Sequence, residues 1–293
     1  MPERNDKPRI IRYSLDTPIA RGGMGSVWKG VDQRLGRTVA IKILNVDAIN
    51  VDKAENFRRR FRREGCLTAS LEHPGIVRLY DFGQTEEDLP YMVMEFVEGV
   101  TLTRKVEKSH PLSIDRVLRY LVQKCDALDY AHAKGMIHRD LKPDNVMIDR
   151  SDRVRVMDFG LARLKEDDDS FGVESWKLAE RGVVLGSPGY MSPEQAYGRP
   201  VDARSDLFAL GMIVYFMIAG RHPFTGDAQA IVTRTAKEPA PSFAEMGREV
   251  PIELETALRM SIELEPANRP PSVRQWWEEV RKAVKKTSIR APS

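Results

Sequence analysis

Cysteine is scarce in this chain: only Cys66 and Cys125 occur among its 293 residues. Neither lies in a Cys-x-x-Cys pair or at a zinc-like spacing from histidine, so neither a disulfide framework nor a structural zinc is indicated. Long apolar runs are lacking too. The most apolar, Leu207 to Ala219, falls short of the roughly 18 residues that a membrane-crossing helix needs and reads as a buried core helix. The polar start, Met1 to Lys7, has no apolar signal region. Charge of one sign is not in excess either, since 46 basic against 43 acidic residues leave a net charge of +3. No protein-wide field is directed at nucleic acid or membrane. The expectation is a cytoplasmic chain with no nucleic-acid partner and no membrane contact of its own.

At roughly 150 residues per domain, the chain has room for two compact units. The alternations Val39-Ala40-Ile41-Lys42-Ile43-Leu44 and Tyr91 to Val97 predict strands. Between them, residues 53–71 set Phe57, Phe61, Glu64, Thr68 and Leu71 on one helical face. Past about residue 100 the pattern turns helical. Ser113 fits an N-cap before Ile114, Val117, Leu118, Leu121, Val122, Cys125 and Leu128. Residues 161–185 have little periodicity and include the acidic run Glu166 to Asp169, and helices are predicted again near Asp202, over 252–263 and over 272–286.

The stretch Ala20-Arg21-Gly22-Gly23-Met24-Gly25-Ser26-Val27 fits a glycine-rich turn over phosphates, because glycine lets backbone N–H groups approach phosphate oxygens without a Cβ in the way. An ordinary hairpin fits these residues equally well. Lys42, inside an apolar run, needs an anion. A nucleotide's phosphates and the Glu64 carboxylate would supply one; a snorkelling edge-strand lysine beside an exposed glutamate is the competing reading. The most informative stretch is His138-Arg139-Asp140-Leu141-Lys142-Pro143-Asp144-Asn145, followed by Asp158-Phe159-Gly160. Phosphoryl transfer asks for a positioned hydroxyl and neutralised oxygens rather than covalent chemistry. Asp140 can accept the hydroxyl proton, Lys142 can stabilise the transferring group, and Asn145 with Asp158 can hold Mg²⁺, which favours hard oxygen ligands.

With these segments in this order, and Ser192-Pro193-Glu194 after them, the chain resembles the eukaryotic-like (Hanks-type) serine/threonine protein kinase family in its bacterial branch, from residue 13 to about 285. The resemblance implies an α+β, bilobal protein kinase fold. Residues 13–97 would form a small β-rich N-lobe with one main helix and the hinge, and 98–285 a larger, mostly helical C-lobe. Residues 1–12 would be an N-terminal tail and 286–293 a C-terminal tail or linker. ATP with Mg²⁺, or Mn²⁺ in its place, would lie between the lobes. Nucleotide contacts would come from Ala20, Gly22, Gly25, Val27, Ala40, Lys42, Met94, Glu95, Val97 and Met147, with Met94 as gatekeeper and Glu95 to Val97 as hinge. Catalysis would rest on Asp140, Lys142, Lys42 and Glu64, and the metal on Asn145 and Asp158. Lys142 marks the serine/threonine class, so protein substrates with aliphatic hydroxyls are expected. Autophosphorylation through self-association and a part in signal transduction are implied as well. Asp206 matches the family's buried aspartate under the catalytic loop, Arg269 the partner of Glu194, and His138 packs on Phe159.

Two residues depart from the family pattern: Ala20 stands for a glycine and Ser192 for an alanine. A methyl group at position 20 restricts φ but removes no N–H. From Asp158 to Glu194 there is no threonine. The resemblance implies that a loop anion docks on Arg139, with Ser170 and Ser175 as phosphosites and Ser187 replacing a threonine that touches the catalytic loop. Alternatively, Glu166 to Asp169 supplies a fixed negative charge or is simply a solvated run. The arginines of the stretch 58–63 read as a solvated helix face or a docking surface. A pseudokinase scaffold is the rival from another class; its usual sign, loss of a key residue, is absent. A small-molecule kinase is disfavoured by the Glu194 and Arg269 pair. The basic ending, Arg281 to Lys286, would suit the cytosolic part of a longer membrane-anchored protein.

Overall fold

A computed structural model describes residues 8–22, 25–45, 54–109, 111–159 and 189–290. The expected phosphosites Ser170, Ser175 and Ser187 and the run Glu166 to Asp169 lie outside the described residues. The chain divides into two units, Met1–Glu98 and Gly99–Ser293.

The first unit is a five-stranded antiparallel sheet: β1 (Thr17–Gly22), β2 (Gly25–Asp32), β3 (Arg37–Leu44), β4 (Leu79–Gln84) and β5 (Pro90–Glu95), in the order β1-β2-β3-β5-β4. The period of two splits its side chains cleanly. Trp28 pairs with Ile41, and Ile41 with Val93. With Tyr13, Val39 and Ile43 they form the buried core. On the other face Val27, Lys42 and Met92 line up across β2, β3 and β5. The predicted helix, α1 (Ala54–Ala69), packs on this second face. Its Phe61 meets edge-on the ring of Phe82, the residue paired with Met92, with ring centroids 5.9 Å apart.

The second unit is mostly helical: α2 (Leu102–Ser109), α3 (Ile114–Ala133), α4 (Pro193–Ala196), α5 (Ala203–Ala219), α6 (Ala228–Lys237), α7 (Ile252–Arg259) and α8 (Val273–Arg290). A small antiparallel sheet, β6 (Gly99–Thr101), β7 (Val146–Asp149) and β8 (Val154–Val156), completes it. The fold is α+β, as expected from the sequence. Ser113 caps α3 through the Arg116 N–H, and Asp202 caps α5 through the Arg204 N–H. The apolar run of α5 is buried at every position from Leu207 to Ala219 except Phe216, so it is a core helix. Among the described residues no helix is long and apolar enough to cross a membrane. Trp276 is fully buried and donates its indole N–H to the Ala257 carbonyl at 2.8 Å, whereas Trp277 is half-buried.

Four elements were not legible in the sequence. The strands β6 and β8 are too short to display a period of two. Helix α2 buries only Leu102 and Val106, and α6 only Thr235 and Ala236, too few to trace a stripe.

The least expected residue of α3 is Lys124, which is fully buried, with its Nζ 3.4 Å from the Met217 Sδ. Burial pushes the ammonium down from its ordinary 10.5 to about 7. The unfolded chain therefore binds this proton more tightly than the folded one, and Lys124 makes stability rise as pH climbs from about 7 to about 10.5. Lys124→Met conserves volume and removes the buried amine. We expect the variant to be more stable at pH 7 by about 4 kcal/mol, on the basis of ~1.4 kcal/mol per pKa unit. Its urea-unfolding free energy should also lose most of the pH 7–10 slope seen in the wild type.

Candidate active site

The loop between α3 and β7 carries His138 to Asn145, and one carboxylate organises it. Asp206, on the first turn of α5, is 1% exposed. Its Oδ2 accepts from the His138 backbone N–H at 2.8 Å and from the His132 Nε2 at 2.7 Å, and its Oδ1 accepts from the Arg139 N–H at 2.8 Å. Burial pushes this carboxyl up, but the His132 bond, the charges on His132 and His138 and the backbone N–H outweigh it, and its pKa lies below the ordinary aspartate value. The two backbone bonds hold Arg139 at φ 66, a left-handed conformation rare for a side chain of its size. The imidazole of His138 is buried, with its Nε2 2.8 Å from the Met157 carbonyl and its ring 4.7 Å from that of Phe159. His138 is therefore structural, as the resemblance implied.

Beyond this turn three polar side chains converge. The Lys142 Nζ lies 3.2 Å from the Asp140 Oδ2. The Asn145 Nδ2 donates to the Asp140 carbonyl at 2.8 Å. Asn145 reaches this place through a 3₁₀ turn, Pro143–Asn145, and its own carbonyl accepts from the Met157 N–H at 2.9 Å. Asp158, the next residue, stands at φ 63. Because the Asn145 carboxamide nitrogen is committed to Asp140, its oxygen is the atom left to face a cation. Among the described residues no group of three or more histidine, cysteine or acidic side chains could hold a metal. An amide oxygen and one carboxylate suit an ion that keeps waters and takes further ligands from phosphate.

Ser192-Pro193-Glu194 opens α4. The Glu194 carboxylate is 3% exposed and bidentate with Arg269, at 2.8 Å and 2.9 Å. Burial pushes Glu194 up, but the bonds from Arg269 and Ser205 and the Arg269 charge outweigh it, so its pKa is lowered. Arg269 spends its remaining N–H groups on the carbonyls of Glu263, Leu264 and Arg204, so the buried pair is fully satisfied. Ser192 is the N-cap of a capping box with Gln195. The Gln195 Nε2 then donates to the Arg139 carbonyl at 2.7 Å. Gln195, not singled out from the sequence, thus joins α4 to the loop from His138 to Asn145, and its signal was readable as Ser-x-x-Gln.

In the first unit the register places Gly22, Gly25, Val27, Ala40, Lys42 and Met94 on one face of the sheet, with Ala20 opposite Val27. Helix α1, which carries the buried Glu64, packs on the same face. Glu95 points to the other side, and its Oε2 lies 3.4 Å from the Arg78 N–H. Val97 is buried beyond the end of β5, and Met147 is half-buried in β7. The two glycines differ in kind. A Cβ at Gly25, at φ 131, would lie 1.9 Å from the Ile43 carbonyl oxygen, so strand pairing itself requires glycine there. At Gly22 a Cβ would meet nothing within 4 Å, so packing gives no reason for glycine there.

Asp206→Asn places an NH₂ where a backbone N–H needs an acceptor. We expect the loop from His138 to Asn145 to loosen, with hydrogen exchange at the His138 and Arg139 amides roughly tenfold faster, the mark of a local opening. The stability gap between wild type and variant should be full above the ordinary aspartate pKa of about 4 and shrink below it, because the folded-state pKa is depressed. Acid unfolding of both forms checks the second part.

The protein kinase domain family matches residues 13–276. A protein named probable serine/threonine-protein kinase in Streptomyces coelicolor is 41% identical over 232 residues, 78% of this chain and 33% of the relative. The serine/threonine-protein kinase PknB of Mycolicibacterium smegmatis is 38% identical over 263 residues, 88% of this chain and 40% of the relative. PknB of Mycobacterium tuberculosis is 41% identical over 238 residues, 80% of this chain and 37% of the relative. The chain thus spans no more than 40% of the length of these curated relatives. The chain belongs to the protein kinase domain family, in its bacterial, Hanks-type serine/threonine branch.

Proposed function

We propose that the domain transfers the γ-phosphoryl of ATP to serine or threonine hydroxyls of proteins, with Mg²⁺ as the metal and Mn²⁺ as its substitute. The observation that carries this reading is the convergence of Lys142 and Asn145 on Asp140, at 3.2 Å and 2.8 Å. Asp140 accepts the proton of the acceptor hydroxyl, and Lys142 steadies the transferring group from the same side. Asn145 and Asp158 hold the ion, which when bound neutralises charge on the phosphate oxygens. Lys42 and Glu64 orient the nucleotide's phosphates; Ala20, Gly22, Gly25, Val27, Ala40, Met94 and Met147 line its path; the backbone of Glu95 to Val97 takes the base. A cytoplasmic position fits this substrate, and the domain would serve a longer signalling protein.

Incubation with labelled ATP, Mg²⁺ and a generic basic protein tests the reading. Asp140→Asn should lower labelling by roughly a thousandfold or more, and EDTA should abolish it, as expected when a catalytic group or the metal is lost. Equal labelling by wild type and variant would sink it.

We further propose that Ser170 and Ser175 are modified by a second copy of the chain and that the phosphate docks on Arg139, which stands next to Asp140 at φ 66. The double variant Ser170→Ala, Ser175→Ala should retain about a tenth of the activity or less, a range typical of lost charge-assisted ordering. Full activity would leave the fixed charge of Glu166 to Asp169 as the better account.

A further inference from the structure

Helices α3 and α5 run antiparallel, and two contacts between polar or polarisable groups cross the seam between them. At one end the His132 Nε2 lies 2.7 Å from the Asp206 Oδ2, on the carboxylate that holds the loop from His138 to Asn145. About two turns back along α3, roughly 12 Å away at 1.5 Å per residue, the Lys124 Nζ meets the Met217 Sδ at 3.4 Å. The Met217 carbonyl also accepts from the Leu112 N–H at 3.3 Å, just before the Ser113 cap of α3. Lys124 and Met217 are both fully buried, and a thioether sulfur is a weak acceptor for an ammonium.

A buried ammonium needs a carboxylate, and among the described residues none reaches this one. Of the elements packed on α3, α5 has its charged residues, Arg204 and Asp206, in its first turn, far from Met217. Helix α8 pairs Arg274 with Asp129 of α3, Glu278 with Arg281 and Glu279 with Lys282, and β8 offers only the cation Arg155. On α3 itself Asp126 and Asp129 act on the Cys125 thiol, which burial pushes up, and Cys125 is the one titratable group that acts on the amine. Above about pH 7 Lys124 therefore sits in the seam uncharged.

We propose that Lys124 makes the α3–α5 seam an acid-sensitive latch on the loop from His138 to Asn145: on taking up a proton the amine leaves the seam for water, the two helices part, and Asp206 releases the His138 and Arg139 amides. That this latch governs phosphoryl transfer rests on the kinase reading given above. The sign follows from burial. The open form holds the proton with the ordinary value of 10.5 and the closed form with one of about 7. Each unit of acidification between these limits thus multiplies the opening constant by about ten. Below about 7 the closed form is protonated as well, and the rise ends.

Amide hydrogen exchange on the whole chain between pH 7 and pH 9 tests the latch. Chemical exchange of an open amide quickens about tenfold per pH unit, while closure of the latch slows it by the same factor, so the two cancel. Exchange at the Tyr215 and Met217 amides of α5, and at those of His138 and Arg139, should therefore stay level across this range in the wild type. In Lys124→Met and Lys124→Leu it should rise about tenfold per unit. At pH 7 these wild-type amides should exchange at least about a hundredfold faster than the urea-unfolding free energy allows, which separates a local opening from global unfolding. With a generic basic protein and saturating ATP, the ratio of wild-type to Lys124→Met labelling should fall about threefold or more from pH 8.5 to pH 7, as the open population grows. Wild-type exchange that rises with pH as in the variants, level exchange in α5 but not at His138 and Arg139, rates no faster than global unfolding, or a constant labelling ratio each overturns the proposal. If the wild type labels no acceptor at all, the kinase reading fails, and the exchange profile still decides whether the latch exists.

Discussion

A carboxylate withdrawn from water has to be met by donors at close range, or its desolvation destabilises the fold. Asp206 meets that demand with two consecutive backbone N–H groups and the His132 ring. Two N–H groups of neighbouring residues can point at one carboxylate only if the chain turns sharply between them. Arg139 makes that turn in the left-handed region. Strain of this kind costs on the order of 1–3 kcal/mol and persists where surrounding bonds over-determine it. Every functional atom that follows inherits its place from this turn. The Asp140 carbonyl is aimed at Asn145, its carboxylate at Lys142, and Asn145 is drawn against the strand end that delivers Asp158.

The same residue is fastened from its other side. The Arg139 N–H goes to Asp206, and its carbonyl accepts from Gln195. Gln195 is in turn fixed by the capping box with Ser192, and α4 by the Glu194 pair with Arg269. A buried ion pair is weak evidence for stability, since apolar residues of equal volume often do as well. Its value here is geometric. Arg269 draws on the backbone carbonyls of Glu263, Leu264 and Arg204 at once, so a single guanidinium sets the position of α4 against α5 and the segment before α8.

Most of this frame could be read from the sequence because it is written in residues with few alternative uses. A buried aspartate at position 206, a glutamate and arginine at 194 and 269, and the order His138 to Asn145 then Asp158 all pointed to the arrangement found. The alternation of Val39 to Leu44 likewise marked β3, and its register explains why Lys42 lies on the face away from the core. What stayed hidden was whatever depends on tertiary contact. Lys124 occupies a position on α3 that the helical pattern would assign to either face, and only packing buries it. The difference between Gly22 and Gly25 lies in the neighbour of each, the Ile43 carbonyl in one case and open space in the other. His222 looked like an unremarked loop histidine because its partners are far from it in sequence.

The departure of Ser192 from the family's alanine acquires a reason from the same geometry. Between Gly189, bonded by His222, and Ser192, bonded by Gln195, stand only Tyr190 and Met191. At about 3.3–3.6 Å per extended residue, so short a span cannot bow into a loop once both ends are held. An alanine at 192 would keep the backbone bond to Gln195 but lose the hydroxyl that accepts from the Gln195 N–H and donates to the Gln195 Oε1, and the C-terminal end of the span would be held by two bonds fewer. A glycine at 189 has no side chain of its own to pack, and the imidazole takes its place. The serine and the glycine thus work on the same short stretch from opposite ends: the serine stiffens its exit into α4, and the glycine admits the ring that fixes its entry.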